Sequence, residues 1–219
     1  MGVKRSAAPS ARTRVRRLPA RAHYDAQAVH AIVDEALSCT IAFEWEGSVH
    51  AIPTAHWREG AHLYVHGAKA SRMLKALPEV QACVSISLID GLVLARSAFN
   101  HSMNYRAVVA YGRFERVDDP AEKLRSLEAF MDRIAPGRWA QLRPATRKEL
   151  NATTVLRLPL DEASAKIRAW GPKDDAGDLD WPVWAGVVPL ELARQTPRTD
   201  PDSAVKTVPE GLGKGSRAR

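Results

Sequence analysis

The sequence predicts a mainly β domain, a small antiparallel barrel with helices inserted between its strands. Three observations carry that. Short apolar runs rich in Val, Ile, Tyr and Phe recur along residues 39–117 and again at 153–159, with turn signals between them. Two hairpins follow one another near the start, which gives an antiparallel meander. Strict alternation of strand and helix is absent, which argues against a doubly wound parallel sheet. A barrel with helices packed outside fits better.

Each element has its own signal. Asp25 to Leu37 sets Val29, Ile32, Val33, Ala36 and Leu37 at helical spacing. Cys39 to Trp45 reads as a strand closed by the turn Glu46-Gly47. Val49 to Trp57 reads as the second strand, Arg58-Glu59-Gly60 as a turn, and Leu63 to His66 as the third strand. A short helix is expected over Ser71–Leu77, followed by strands over Ala82–Ile89 and Leu92–Phe99 with a turn at Asp90-Gly91. Tyr105 to Val117 reads as one long strand. Asp118-Asp119-Pro120 opens a helix to Ile134, with Leu124, Leu127, Ala129 and Met131 on its buried side, and Pro136-Gly137 stops it. Thr153–Pro159 is a further strand, and Asp161–Arg168 is expected as a short helix.

Composition excludes several classes. An apolar fraction of 45% supports a real core. No apolar run approaches the ~18 residues of a membrane span, and the N-terminal segment lacks the apolar stretch of a secretory signal. Cys39 and Cys83 form neither a metal-ligand spacing nor a disulfide framework, so a cytoplasmic location is expected. The seven histidines show no HExxH pattern, and no metal site is expected. Asp174, Asp175, Asp178 and Asp180 read as a solvated acidic loop. Trp139 and Trp170 read as packing residues.

The formal charge of +7 lies in the ends. Residues 1–22 contribute +7 and residues 193–219 contribute +3, which leaves the part between them at −3. The first segment is expected as a basic flexible arm and the last as a disordered tail, flanking one domain over residues 23–192. Nucleic acid is not an expected partner, because the basic excess is absent from the folded portion.

Residues 62–77, HLYVHGAKASRMLKAL, carry the most chemistry. A strand runs into a short turn, and a helix opens at Ser71, a favoured cap. The first turn of a helix offers free N–H groups, and Lys69, Ser71 and Arg72 gather beside it. The window suits a phosphate or another anion. It also reads as a capped surface helix with two solvated cations.

Four segments decide between these readings: AIPTAH at 51–56, LYVHGAKASRMLKAL at 63–77, DGLVLARSAFNHSMNYRAVVAYGRFERV at 90–117 and WPVWAGVVPL at 181–190. In order and spacing they resemble the pyridoxamine 5′-phosphate oxidase-like flavoproteins, in the flavin-nucleotide-binding branch that includes nitroimidazole-resistance-type proteins. The resemblance spans about residues 15 to 192. It implies a six-stranded antiparallel split β-barrel, a homodimer, and FMN in grooves at the subunit interface. By the same resemblance His66, Lys69, Ser71 and Arg72 hold the phosphate. The flavin ring lies along Ile52, Pro53 and Thr54. Tyr105 and Arg106 begin the next wall, and Trp184 covers the flavin or substrate side. Arg106 has an alternative, pairing with Glu115 or Asp90.

Flavin chemistry needs an anion clamp, an apolar slot and tuned hydrogen bonds, so no catalytic triad is expected. His101 and His56 are the candidates for proton supply, although each reads more readily as a structural or surface histidine. Two departures from the family matter. No C-terminal Arg-containing substrate segment follows Leu190, so pyridoxamine-phosphate oxidation itself is not expected. Position 107 is Ala where relatives commonly place a polar residue. Three functional classes remain: an FMN-dependent oxidoreductase acting on a small molecule, a non-catalytic flavin-binding protein, and a haem-binding split-barrel protein.

Overall fold

The computed structural model describes residues 6–209 and Leu212. The expectations for residues 1–5, 210, 211 and 213–219 lie outside the described residues. Two antiparallel sheets make the barrel. The larger contains β1 (Ala22–His23), β10 (Ala163–Arg168), β7 (Ser102–Gly112), β6 (Ala82–Leu94), β2 (Ser38–Trp45) and β3 (Ser48–Ala55) in that order, with β11 (Gly186–Pro189) added beside β6. The smaller has the order β4 (Trp57–Glu59), β5 (His62–Ala68), β9 (Thr153–Pro159) and β8 (Glu115–Arg116).

Local sequence explains the meander. Trp45 pairs with Ser48 across the two-residue turn Glu46-Gly47, and both turn residues have positive φ, 51° and 73°. That is the type I′ geometry whose twist suits a hairpin, and Gly47 meets it without steric cost. The strand expected over Val49–Trp57 is instead broken at His56, where the chain leaves the larger sheet and β4 enters the smaller one. The two hairpins therefore belong to different sheets.

Helix α1 (Ala26–Glu35) starts at Asp25, whose carboxylate accepts the Ala28 N–H at 2.8 Å. It buries Val29, Ile32 and Val33 in the main core with Ile41, Leu63, Val65, Val84, Ile86, Val108, Leu156 and Leu158. Its C-terminal carbonyls find external donors. His56 Nε2 donates to Val33 O at 2.9 Å, and the Arg133 guanidinium donates to the Asp34 and Ala36 carbonyls. A smaller cluster of Trp57, Tyr64, Val117 and Val155 lies under α3 (Pro120–Ile134), which adds Leu127, Ala129 and Phe130. The other helices are α2 (Arg72–Ala76) and α4 (Arg147–Ala152), the latter closed by a capping box between Thr146 and Glu149.

Several expectations need correction. Asp161–Arg168 is not a helix; β10 fills residues 163–168 and pairs with both β1 and β7. Asp90-Gly91 is not a turn. β6 runs through it, with Asp90 as an extra residue between the Ile89–Tyr105 and Gly91–Asn104 pairs. Gly91 is needed there because a Cβ would come within 3.0 Å of Val187 Cγ1 and of the Val188 carbonyl on β11. Tyr105–Val117 is two strands, β7 and β8, and they lie in different sheets. Within residues 6–22, Arg12 pairs with Glu162 and reaches Gln81, Thr13 is buried, and Ala22 opens β1. Residues 190–209 contain no helix or strand. No helix among the described residues is long and apolar enough to cross a membrane.

Candidate functional site

β3 is an edge strand, and β2 is its sheet neighbour. Ile52 and Thr54 are half-buried while Pro53 is exposed. Proline suits an edge because it has no ladder N–H to lose. β3 lies against β5, and α2 follows β5 directly. The topology thus brings Ile52, Pro53, Thr54, His66, Lys69, Ser71 and Arg72 to one side of the molecule.

The turn before α2 is tightly held. The Lys69 N–H donates to Ala152 O and the Ser71 N–H donates to Ala68 O, both at 2.8 Å. The Ser71 hydroxyl accepts the Leu74 N–H at 3.4 Å, which is the expected cap. Gly67 packs under Leu74, whose Cδ1 would lie 3.0 Å from an added Cβ. Lys69 and Arg72 are exposed, and neither forms an ion pair with a described residue. Two cations on a rigid turn, with no carboxylate spent on them, are what a phosphate clamp requires.

His66 faces the smaller core. Its ring lies 4.6 Å from Phe130 and 5.6 Å from Trp57 between centroids. Its Nδ1 is buried without a hydrogen-bond partner. Burial lowers its pKa, so the ring stays neutral around pH 7. His66 therefore presents a neutral imidazole with an unused nitrogen, which is a different role from a phosphate-binding cation.

The other expected residues sit elsewhere. Two strands, β6 and β2, separate β7 from β3. Tyr105 and Arg106 therefore lie on a strand three places along the sheet from Ile52–Thr54. Arg106 donates to Asp90 at 2.7 and 2.9 Å and to Glu35 at 2.7 Å. These bonds raise its pKa further, and the guanidinium is committed to carboxylates. Asp90 is thus the partner as expected, Glu35 is a second, and Glu115 pairs with Arg157 instead. Trp184 is 65% exposed, with its ring laid over Gly186 at the start of β11. The Asp174 carboxylate is not solvated, because it pairs with Arg96 at 2.8 Å and is enclosed.

The two histidines expected near the chemistry differ. His101 is exposed, with Nδ1 3.0 Å from Ser97 O. His56 is 1% exposed and bound to α1, so it is a structural residue. Burial, outweighing its bond to Val33, pushes its pKa down to about 4. The unfolded chain takes up this proton near the ordinary value of about 6.5. Between those values the unfolded state binds more protons, so the His56 contribution is complete above about 6.5 and is lost as pH falls toward 4. The expected loss across that window is about 3 kcal/mol. Urea unfolding at neutral and acidic pH should show that slope in the native chain and a shallower one in His56→Gln.

Two antiparallel sheets with outer helices, one strand of which runs into a capped turn with two exposed cations, define the split-barrel class. The family model described as pyridoxamine 5′-phosphate oxidase matches residues 25–167, and the chain belongs to that family. Among solved structures it is similar to the flavocytochrome Anf3 from Azotobacter vinelandii, with 41% identity, 94% of this chain and 96% of that chain covered, and a TM-score of 0.89. It is also similar to the FAD and haem binding protein from Mycobacterium smegmatis, with 37% identity, coverage of 89% and 98%, and a TM-score of 0.83. A 5-nitroimidazole antibiotic resistance protein from Bacteroides thetaiotaomicron shares the fold, with 21% identity, coverage of 67% and 86%, and a TM-score of 0.55. A search of curated proteins found no match. The expected family and the mainly antiparallel split-barrel fold class are confirmed.

Proposed function

We propose that this protein binds a flavin and a haem and transfers electrons between small-molecule redox partners. The observation that carries this reading is the near full-length similarity, at 41% and 37% identity, to proteins named as a flavocytochrome and as an FAD and haem binding protein. The family motifs favour FMN, whereas the name of the second relative favours FAD, and FAD is the flavin proposed. Lys69, Ser71 and Arg72 suit either, since both flavins present a phosphate to the protein. When bound, the flavin supplies hydride or electron chemistry and the haem supplies single-electron transfer.

The residues of the chain fit both groups. The clamp supplies cations without carboxylate partners. His66 supplies a neutral imidazole with an unspent nitrogen, the form that ligates haem iron. The purified protein should show a Soret band together with flavin absorption, and the flavin released by acid should co-elute with FAD on chromatography. His66→Ala should lose the Soret band and keep the flavin. A flavin spectrum with no haem uptake would remove the haem half of the reading. Released FMN would restore the FMN expectation.

The reading includes a homodimer. Tyr105 and Trp184 stand away from the clamp in one chain, so a groove using all of them needs a second copy. Ile89, Leu92, Met103 and Val188 are exposed on the paired strands β6, β7 and β11, and Phe99, 97% exposed, and Trp184 are exposed in the turns between strands. Such a patch is costly to leave in water. Light scattering should give about twice the chain mass, and Phe99→Asp should shift the species toward a monomer.

A further inference from the structure

Arg168 ends β10 and is 3% exposed, yet its hydrogen-bond acceptors are all uncharged. Its Nη1 donates to Asn104 Oδ1 and, at 2.6 Å, to Trp170 O; its Nη2 donates to Gly171 O at 2.9 Å. Its Nε is buried with no partner. Other arginines of this fold meet carboxylates: Arg106 meets Glu35 and Asp90, Arg58 meets Asp34, Arg96 meets Asp174, and Arg157 meets Glu115 and Glu122. A buried charge without an opposite charge is costly, and proteins normally pair it.

The surroundings of Arg168 add positive charge. The guanidinium carbons of Arg168 and Arg21 lie 5.2 and 5.0 Å from the centre of the Trp170 ring, and Lys173 Nζ lies 5.5 Å from it. Arg21 also donates to the Tyr105 hydroxyl at 3.5 Å. The Trp170 Nε1 is a second buried donor without a partner. Asp174, the nearest acid in sequence to Lys173, is spent on Arg96. Burial and the like charge of Arg21 both lower the proton affinity of Arg168. Three cations thus lie over one indole, and two donors, Arg168 Nε and the indole's own Nε1, are left without partners.

We propose that Arg168, Arg21, Lys173 and Trp170 form an anion-binding site for a carboxylate or phosphate group of a small molecule. Arg168 Nε and Trp170 Nε1 supply the buried donors, and Arg21 and Lys173 form the outer clamp. The Nη groups of Arg168 are spent on Asn104, Trp170 and Gly171, so Arg168 offers its Nε as a single charge-assisted donor to an oxyanion. The site uses none of Lys69, Ser71 or Arg72, so it stands independently of the flavin clamp. Sequence reading alone hides it, because Asp161–Arg168 reads there as a helix and Trp170 as packing.

The test uses the full chain carrying Lys69→Ala and Arg72→Ala, which removes the other anion clamp. Inorganic phosphate and acetate are titrated separately against sodium chloride at matched ionic strength, and the Trp170 indole N–H resonance is followed by NMR, assigned through Trp170→Phe. A saturable shift with phosphate, acetate or both is expected, and the stronger arm names the group. Arg21→Ala with Lys173→Ala, both outer residues, should weaken it by roughly tenfold or more. The Arg168→Gln chain, checked for its fold by circular dichroism, should lose the response. If Arg168→Gln fails to fold, the outer pair of substitutions decides alone. No shift beyond the chloride control, or an unchanged affinity after the outer substitutions, overturns the proposal.

Discussion

Replacing Trp57 by alanine is expected to destabilise the protein by about 3–5 kcal/mol, the usual range for emptying a large aromatic site. Trp57 is 1% exposed. Its ring stacks on Tyr64 at 5.6 Å and meets Phe130 at 5.0 Å, and its Nε1 donates to Glu59 at 3.0 Å. Few other large side chains share this cluster, so neighbours cannot close the hole cheaply. The ring joins the smaller sheet to α3 and also supports His66, so loss of packing should loosen the histidine that the haem reading depends on. Urea unfolding should show a lower midpoint with an unchanged slope. Trp57→Phe should recover most of the stability, losing mainly the Glu59 bond. A cost under about 1 kcal/mol for the alanine variant would mean that α3 does not dock as described.

What the sequence shows plainly are features written in local signals. The Glu46-Gly47 hairpin, the Asp25 cap of α1 and the Asp119-Pro120 start of α3 each depend on neighbouring residues, and each forms. The errors arise where long-range partners decide. Ala163, Ser164 and Ala165 are all buried, so β10 shows no alternation, and small residues give no β-branched signal. Its identity as a strand comes from β1 and β7 on either side. Asp90-Gly91 has turn chemistry, yet the approach of β11 makes it a bulge inside a long strand. His56 looks available in sequence, but the change of sheet there buries it under α1.

The site divides the same way. The Lys69–Arg72 turn is legible because strand, turn and cap are contiguous. Arg106 is half-legible: Asp90 is near in sequence, whereas Glu35 arrives from α1 only through the fold. The Arg168 cluster is assembled from residues 21, 104, 105, 168, 170 and 173, and its charge imbalance exists only after folding.

The Lys69→Ala and Arg72→Ala double substitution should release the flavin from a protein that remains folded. Both side chains are exposed and make no ion pair with a described residue, so their removal breaks no packing and leaves no orphaned carboxylate. Surface substitutions of that kind usually change stability by less than about 0.5 kcal/mol. Each charge-assisted bond to a phosphate oxygen is worth about 1.5–3 kcal/mol, so each substitution should weaken flavin binding roughly 10- to 150-fold. The two act on one phosphate, so the double effect should be smaller than the product of the single effects. Lys75→Ala, an exposed cation in the last turn of α2, is the control and should bind flavin as the native chain does. Because the clamp is exposed, the native affinity should itself fall with added salt, and the double variant should lose most of that dependence. Fluorescence titration of apoprotein with FAD and with FMN measures all of this. An unchanged affinity in the double variant would place the phosphate elsewhere on the barrel. A loss equal to that of Lys75→Ala would reduce the clamp to general surface charge.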